Sequence, residues 1–128
     1  MENKTKIFHK ELSYQITGLL FEIHNKLGRY CREKQYADAF EKLLKLNKIE
    51  YFREKKIPVE LIDNQFTNIV DFDISSKLLI DLKAKPLVTK DDYYQMNRYL
   101  EAAGYDLGII VNFRNKYLRP IRVIRSHS

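Results

Sequence analysis

A chain of 128 residues has room for one domain around one core. Its 45% hydrophobic and 31% charged residues are ordinary for a soluble globular protein, and no apolar run approaches the length of a membrane span. Lys and Arg number 23 against 17 Asp and Glu, and the resulting +6 charge turns attention to anionic partners, nucleic acid first.

The N-terminal "MENKTKIFHKEL" lacks the apolar core of a signal peptide, so a cytoplasmic protein is expected. Helical spacing begins within residues 7–27, where Leu12, Ile16, Leu19, Leu20, Ile23 and Leu27 recur on one face and Gly28 offers a stop. Cys31 follows. Alone it makes neither an internal disulfide nor a zinc cluster, and no metal-ligand spacing joins it to His9, His24 or His127. It reads as a half-buried thiol. A second helix is expected over about 32–46, with Tyr36, Ala39, Phe40, Leu43 and Leu44 as its stripe and Asn47-Lys48 closing it.

Strand signals then take over. Residues 49–53 and 57–62 read as two strands, with Pro58 suggesting a sheet edge, and 63–65 as a turn. Residues 66–74 and 77–85 read as a hairpin around Ser75-Ser76, its second strand apolar on nearly every residue, as in a strand covered on both faces. Pro86 ends it. Residues 90–103 form a helix stopped by Gly104, and 106–113 and 116–125 are the last two strands. The order α, α, β, β, β, β, α, β, β predicts an α/β or α+β sandwich. One domain is expected over 1–128, with 1–8 and 126–128 as flexible ends.

The hairpin "VDFDISSKLLIDLKAK" poses the functional question. Charges in a buried sheet are costly unless paired or bound. Alternation places Asp71 with Asp73 on one face, and Asp81 with Lys83. If Asp71 meets Asp81 across the hairpin, two carboxylates and an ammonium converge. Such acids bind a hard cation through oxygen, and the lysine neutralises phosphate or holds an attacking water. The bland alternative is an Asp81–Lys83 ion pair at a sheet end. In the following helix Gln95 and Tyr99 are four apart and share a face; aimed at the acids, they orient water or contact phosphate, and otherwise Tyr99 is core and Gln95 exposed.

These motifs together resemble a known superfamily. Asp71 followed by Asp81-Leu82-Lys83 is similar to the PD-(D/E)XK nuclease motif, and Gln95-x-x-x-Tyr99 to the QxxxY motif of its exonuclease-like branches. The wider resemblance is to the small GxxExxY proteins. Glu22-Ile23-His24, Leu27-Gly28, Glu33 and Tyr36 match their opening segment, with Tyr30 standing where the family has glycine. Asp71 through Ala84 matches the next segment. Gln95, Tyr99, Leu100, Gly104, Gly108, Asn112 and Phe113 match the last. Two further departures are Asp81 in place of glutamate and Val70 in place of proline.

The resemblance implies a restriction-endonuclease-like core, a central mixed β-sheet flanked by helices. It implies a nuclease that hydrolyses phosphodiester bonds of DNA or RNA with a magnesium-activated water, manganese being an alternative ion. Glu33, Asp71 and Asp81 would be the metal ligands, Lys83 would place the water or stabilise charge, and Gln95 and Tyr99 would support the site. Asp73 receives no role, and Glu22 and His24 read as structural or interfacial. A second hypothesis is a catalytically silent module of the same fold that binds nucleic acid or a partner. For either, Arg114, Lys116, Arg119, Arg122 and Arg125 on the basic last segment could follow a phosphate backbone, or simply form a solvated edge. A third is a homodimer through Phe8, Leu12 and Phe21, which could equally pack on the sheet.

Overall fold

A computed structural model describes residues 8–58 and 68–125. Its elements in chain order are α1 (Lys10–Leu27), α2 (Glu33–Leu46), β1 (Tyr51–Lys56), β2 (Ile69–Ile74), β3 (Leu78–Lys83), α3 (Lys90–Ala103), β4 (Leu107–Asn112) and β5 (Ile121–Ile124). The strands form one sheet in the order β1-β2-β3-β4-β5. All neighbours are antiparallel except β3 and β4, which are parallel. A parallel pair needs a crossover, and α3 supplies it. The molecule is therefore α/β, a mixed sheet between helical layers.

Two apolar clusters follow from strand alternation. On one face Phe72, Ile74, Leu78, Ile80 and Leu82 meet Leu107, Ile109 and Val111 beneath Ile16, Leu20, Ile23, Tyr36, Phe40 and Leu44 of α1 and α2. On the other, Leu79, Ile110 and Val70 pack under Met96, Tyr99 and Leu100 of α3. Gly108 makes that second contact possible, because a Cβ there would lie 2.5 Å from the Met96 sulfur. Phe8 and Leu12 join the first cluster, whereas Phe21 stays 43% exposed.

The hairpin and the doubly covered β3 are as expected. Two elements differ. Where two strands were expected over 49–53 and 57–62, the described residues form one strand, β1; residues 59–67, which held the rest of the second strand, the turn and the start of the next, lie outside the described residues. The last strand is shorter than 116–125. Residues 114–117 are instead a turn, tied to α1 by a 2.9 Å hydrogen bond between His24 Nε2 and the Asn115 carbonyl. The expected flexible ends lie outside the described residues, apart from Phe8. Among the described residues no helix is long and apolar enough to cross a membrane.

Candidate active site

The site begins with a break in alternation. In β1, Arg53 reaches Asp38 and Glu41 of α2, yet Lys55, two residues on, bonds Asp73. Residues two apart on a regular strand share a face. Between them Glu54 takes φ 54°, the left-handed region that costs a non-glycine residue about 1 kcal/mol or more. The neighbouring strand breaks at the same level: Val70 belongs to the α3-side cluster and Phe72 to the α2-side cluster. Asp71 sits between them.

β2 and β3 part company there. Their paired register runs from Ile74↔Leu78 to Phe72↔Ile80 and goes no further. One step on, the Leu82 N–H donates to Asp71 Oδ2 at 2.7 Å. The carboxylate fills the opening between the strands and brings Asp71 beside Asp81. Burial first, and the Asp81 carboxylate second, push Asp71 up to about 8, against the lowering effect of the Leu82 N–H and of Lys83. Burial and the facing carboxylate thus favour a proton shared at this acid, which is how two facing carboxylates behave when no other cation separates them.

Lys83 Nζ lies 2.7 Å from Asp81 Oδ2, so the ion pair weighed from the sequence is present. Lys83 is also 3.8 Å from Asp92 of α3. Burial works against its charge, but Asp81, Asp92 and Asp71 outweigh it and raise the ammonium above its ordinary value. Asp92 has a second cation, Lys85 at 2.5 Å, and closes the N-terminus of α3 by accepting from the Thr89 N–H at 2.8 Å. Burial raises Asp92, yet these partners together hold it below the usual carboxylate range. Sequence reading missed Asp92 and Lys85. The Thr89-to-Asp92 capping spacing was visible, but nothing local shows that the capping acid also faces the lysine strand.

The expected residues do not all converge. Glu33 and Asp71 line one cavity of about 260 Å³ with Arg53, Glu54, Phe72 and Leu82. Asp81 is not among its lining residues, and among the described residues no three acidic, histidine or cysteine side chains gather at metal-holding spacing. The structure brings together Asp71, Asp81 and Lys83, while Glu33 of α2 shares a cavity with Asp71 alone of these. Gln95 lines a shallow hollow with Asp91, Asp92 and Arg98. Tyr99 is 2% exposed and its hydroxyl donates to the Ile69 carbonyl at 3.2 Å. It braces β2 two residues before Asp71 and is core, not a group aimed at the acids.

Asp73 and Asp71 end in different surroundings. Asp73 is fully buried and its Oδ2 accepts from Lys55 Nζ at 2.6 Å and from the Tyr105 hydroxyl at 2.8 Å. Around the site, Asn112 pins the chain after Lys83: its Oδ1 accepts from the Lys85 N–H at 3.1 Å and its Nδ2 donates to the Lys85 carbonyl at 2.7 Å. The segment that presents Glu33 is fixed too. Gly28 takes φ 77°, ψ −164°, a region open essentially to glycine alone. Its carbonyl accepts from the Tyr36 hydroxyl at 2.5 Å, and the Tyr36 ring stacks on Phe113 at 4.1 Å. His24 holds Asn115 from the same corner, a structural role. Cys31 is half-buried there, as expected.

Of the basic residues expected on nucleic acid, Arg114, Lys116 and Arg119 line one hollow. Arg122 does not join them: its guanidinium donates to Ser13 Oγ at 2.9 Å and to the Phe8 carbonyl at 3.3 Å, fastening β5 to α1. Arg125 is paired with Asp106 at 3.1 Å.

A family profile of the PD-(D/E)XK nuclease superfamily matches residues 10–124. The chain belongs to the PD-(D/E)XK nuclease superfamily. The five-stranded mixed sheet with its helical layers is consistent with the restriction-endonuclease-like fold of that superfamily, and the match spans every element from α1 to β5. No curated protein and no solved structure matches the chain.

The superfamily generally uses divalent metals, and the donor set fits one. Asp71 and Asp81 offer hard oxygen ligands side by side, and a divalent ion between them would replace the proton that Asp71 otherwise keeps.

Proposed function

We propose that this protein is a divalent-metal-dependent nuclease of the GxxExxY type. The observation that carries the reading is the opening between β2 and β3, where Asp71 and Asp81 stand together and Lys83 reaches Asp81 at 2.7 Å. Asp71 and Asp81 would hold magnesium or manganese, with Glu33 approaching from the shared cavity. A bound ion polarises phosphate and makes a hydroxide nucleophile available at neutral pH.

The chain's own groups do the rest. Lys83 presents a charged ammonium at the same opening, where it compensates the negative charge that grows on a phosphate oxygen. Asp81 and Asp92 hold it by opposing charge, so it stays protonated, and Lys85 fixes Asp92 in turn. Asn112 and Tyr99 fix the two strand segments that carry Lys83 and Asp71. Phe72 and Leu82 give the cavity beside Asp71 and Glu33 apolar walls, which strengthen charge interactions on that side of the site.

A silent binding module of the same fold is favoured by one observation, that Lys83 already has a carboxylate partner and Glu33 stands off from the other acids. One assay separates the readings. Labelled DNA and RNA oligonucleotides are incubated with magnesium or manganese, using wild type and Asp71→Ala. The nuclease reading expects cleavage by wild type alone, with both proteins giving the same folded circular dichroism spectrum. Equal cleavage by the variant, or none by wild type under either ion, overturns it.

A further inference from the structure

Beside the acidic opening lies a hollow of about 580 Å³ that the proposed reaction does not use. Its charged lining residues are Arg29, Arg114, Lys116 and Arg119, with no acid among them. Two of these are locked in place. Arg29 Nε donates to the Arg114 carbonyl at 2.8 Å, Arg114 Nε donates to the Arg29 carbonyl at 3.2 Å, and Arg114 Nη2 donates to the Ala84 carbonyl at 3.2 Å. Like charges held close by backbone bonds form a prepared seat for an anion.

The seat also carries rings. Arg29 and Arg114 lie 5.0 and 5.8 Å from the centre of the Tyr30 ring, and Lys116 lies 5.5 Å from that of Tyr117. Both tyrosines are largely exposed, at 75% and 79%. Tyr30 occupies the position where the resemblance expects glycine, so the ring is a feature of this chain. Exposed rings among arginines suit a ligand that alternates phosphate with flat, unpaired bases, because duplex bases are already stacked on one another.

The hollow and the opening are neighbours. Arg114 grips the carbonyl of Ala84, the residue after Lys83, and the segment 29–34 runs from Arg29 at the hollow, past Tyr30 whose ring lies against Arg29 and Arg114, to Glu33 and Lys34 at the cavity beside Asp71. We infer that the hollow holds single-stranded nucleic acid, its phosphates on Arg29, Arg114, Lys116 and Arg119 and a base on Tyr30, and delivers the strand to Asp71, Asp81 and Lys83. This deepens the nuclease reading by naming the substrate class, and rests on it only for the delivery.

Binding is measured by fluorescence anisotropy in chelator, so that no cleavage intrudes, with labelled oligothymidylate and with a duplex of equal length. Oligothymidylate should bind more tightly than duplex. Tyr30→Ala should weaken oligothymidylate about tenfold and leave duplex unchanged, while Tyr30→Phe behaves as wild type. Lys116→Glu with Arg119→Glu, both on exposed positions, should weaken both ligands and flatten the salt dependence. Equal or tighter duplex binding, wild-type affinity in Tyr30→Ala, or displacement of the oligonucleotide by polyglutamate at matched charge overturns the inference. The two readings fail separately: oligothymidylate binding without cleavage in any ion sinks the nuclease and spares the hollow, and cleavage that ignores Tyr30 and strandedness does the reverse.

Discussion

Asp71 and Asp73 are two residues apart on one short strand, yet the fold treats them oppositely. Asp73 is sealed from solvent and given Lys55 and the Tyr105 hydroxyl. Asp71 faces an opening, receives a backbone N–H and another carboxylate, and keeps its proton up to about 8. Asp73 has its own cation, both of its partners falling on Oδ2 while Oδ1 is buried without one. A buried acid set against a second acid is incomplete until a cation arrives, and that asymmetry separates the scaffold from the site.

The comparison breaks most sharply in activity. Asp81→Asn and Lys83→Ala should each lower cleavage by at least about 100-fold while the thermal melt stays cooperative. Asp73→Asn should leave the rate constant per folded molecule near wild type. Single-turnover assays on protein quantified by its melting amplitude test this, and a large rate loss in Asp73→Asn would erase the distinction.

Stability should show the reverse order. Asp73→Ala strands Lys55 and Tyr105, and the cost of breaking such a pair is about 3 kcal/mol, reduced because Lys55 is 33% exposed and can turn to water. Urea denaturation measures it. Asp71→Asn keeps an acceptor for Leu82 and removes a charge that the metal-free protein resists, so it should not destabilise. The pH dependence gives the sign. An acid raised from 3.8 to about 8 in the folded state contributes stability that is complete below about 3.8 and is lost as pH rises through 8. The wild-type melting temperature in chelator should therefore fall from pH 5 to pH 9 more than that of Asp71→Asn.

The smallest effect concerns the bend that parts the two acids' surroundings. Glu54 takes φ 54° there. Glu54→Gly should stabilise by about 1 kcal/mol relative to Glu54→Ala, because only glycine meets that φ without strain. Equal stability of the two variants would show that the bend stores no strain.

Much of this site was legible in the sequence because its signals are local. The Ser75-Ser76 hairpin brought Asp71 towards Asp81, and the apolar run of β3 marked Asp81 and Lys83 as exceptions needing a reason. Three features were hidden. Alternation alone grouped Asp71 with Asp73, and nothing in "YFREKK" signals that Glu54 would turn left-handed. Asp92 reaches Lys83 and Lys85 only after the α3 crossover folds back. Helical spacing paired Gln95 with Tyr99 but could not say which face met the sheet: Tyr99 went to the core, bonded to the Ile69 carbonyl, and Gln95 to a hollow with Asp91, Asp92 and Arg98.

Crystals soaked in manganese and measured at its absorption edge test the central claim most directly. The account predicts an anomalous peak in the opening between β2 and β3, coordinated by carboxylate oxygens of both Asp71 and Asp81. A manganese ion bound elsewhere, with no anomalous peak between Asp71 and Asp81, would contradict it.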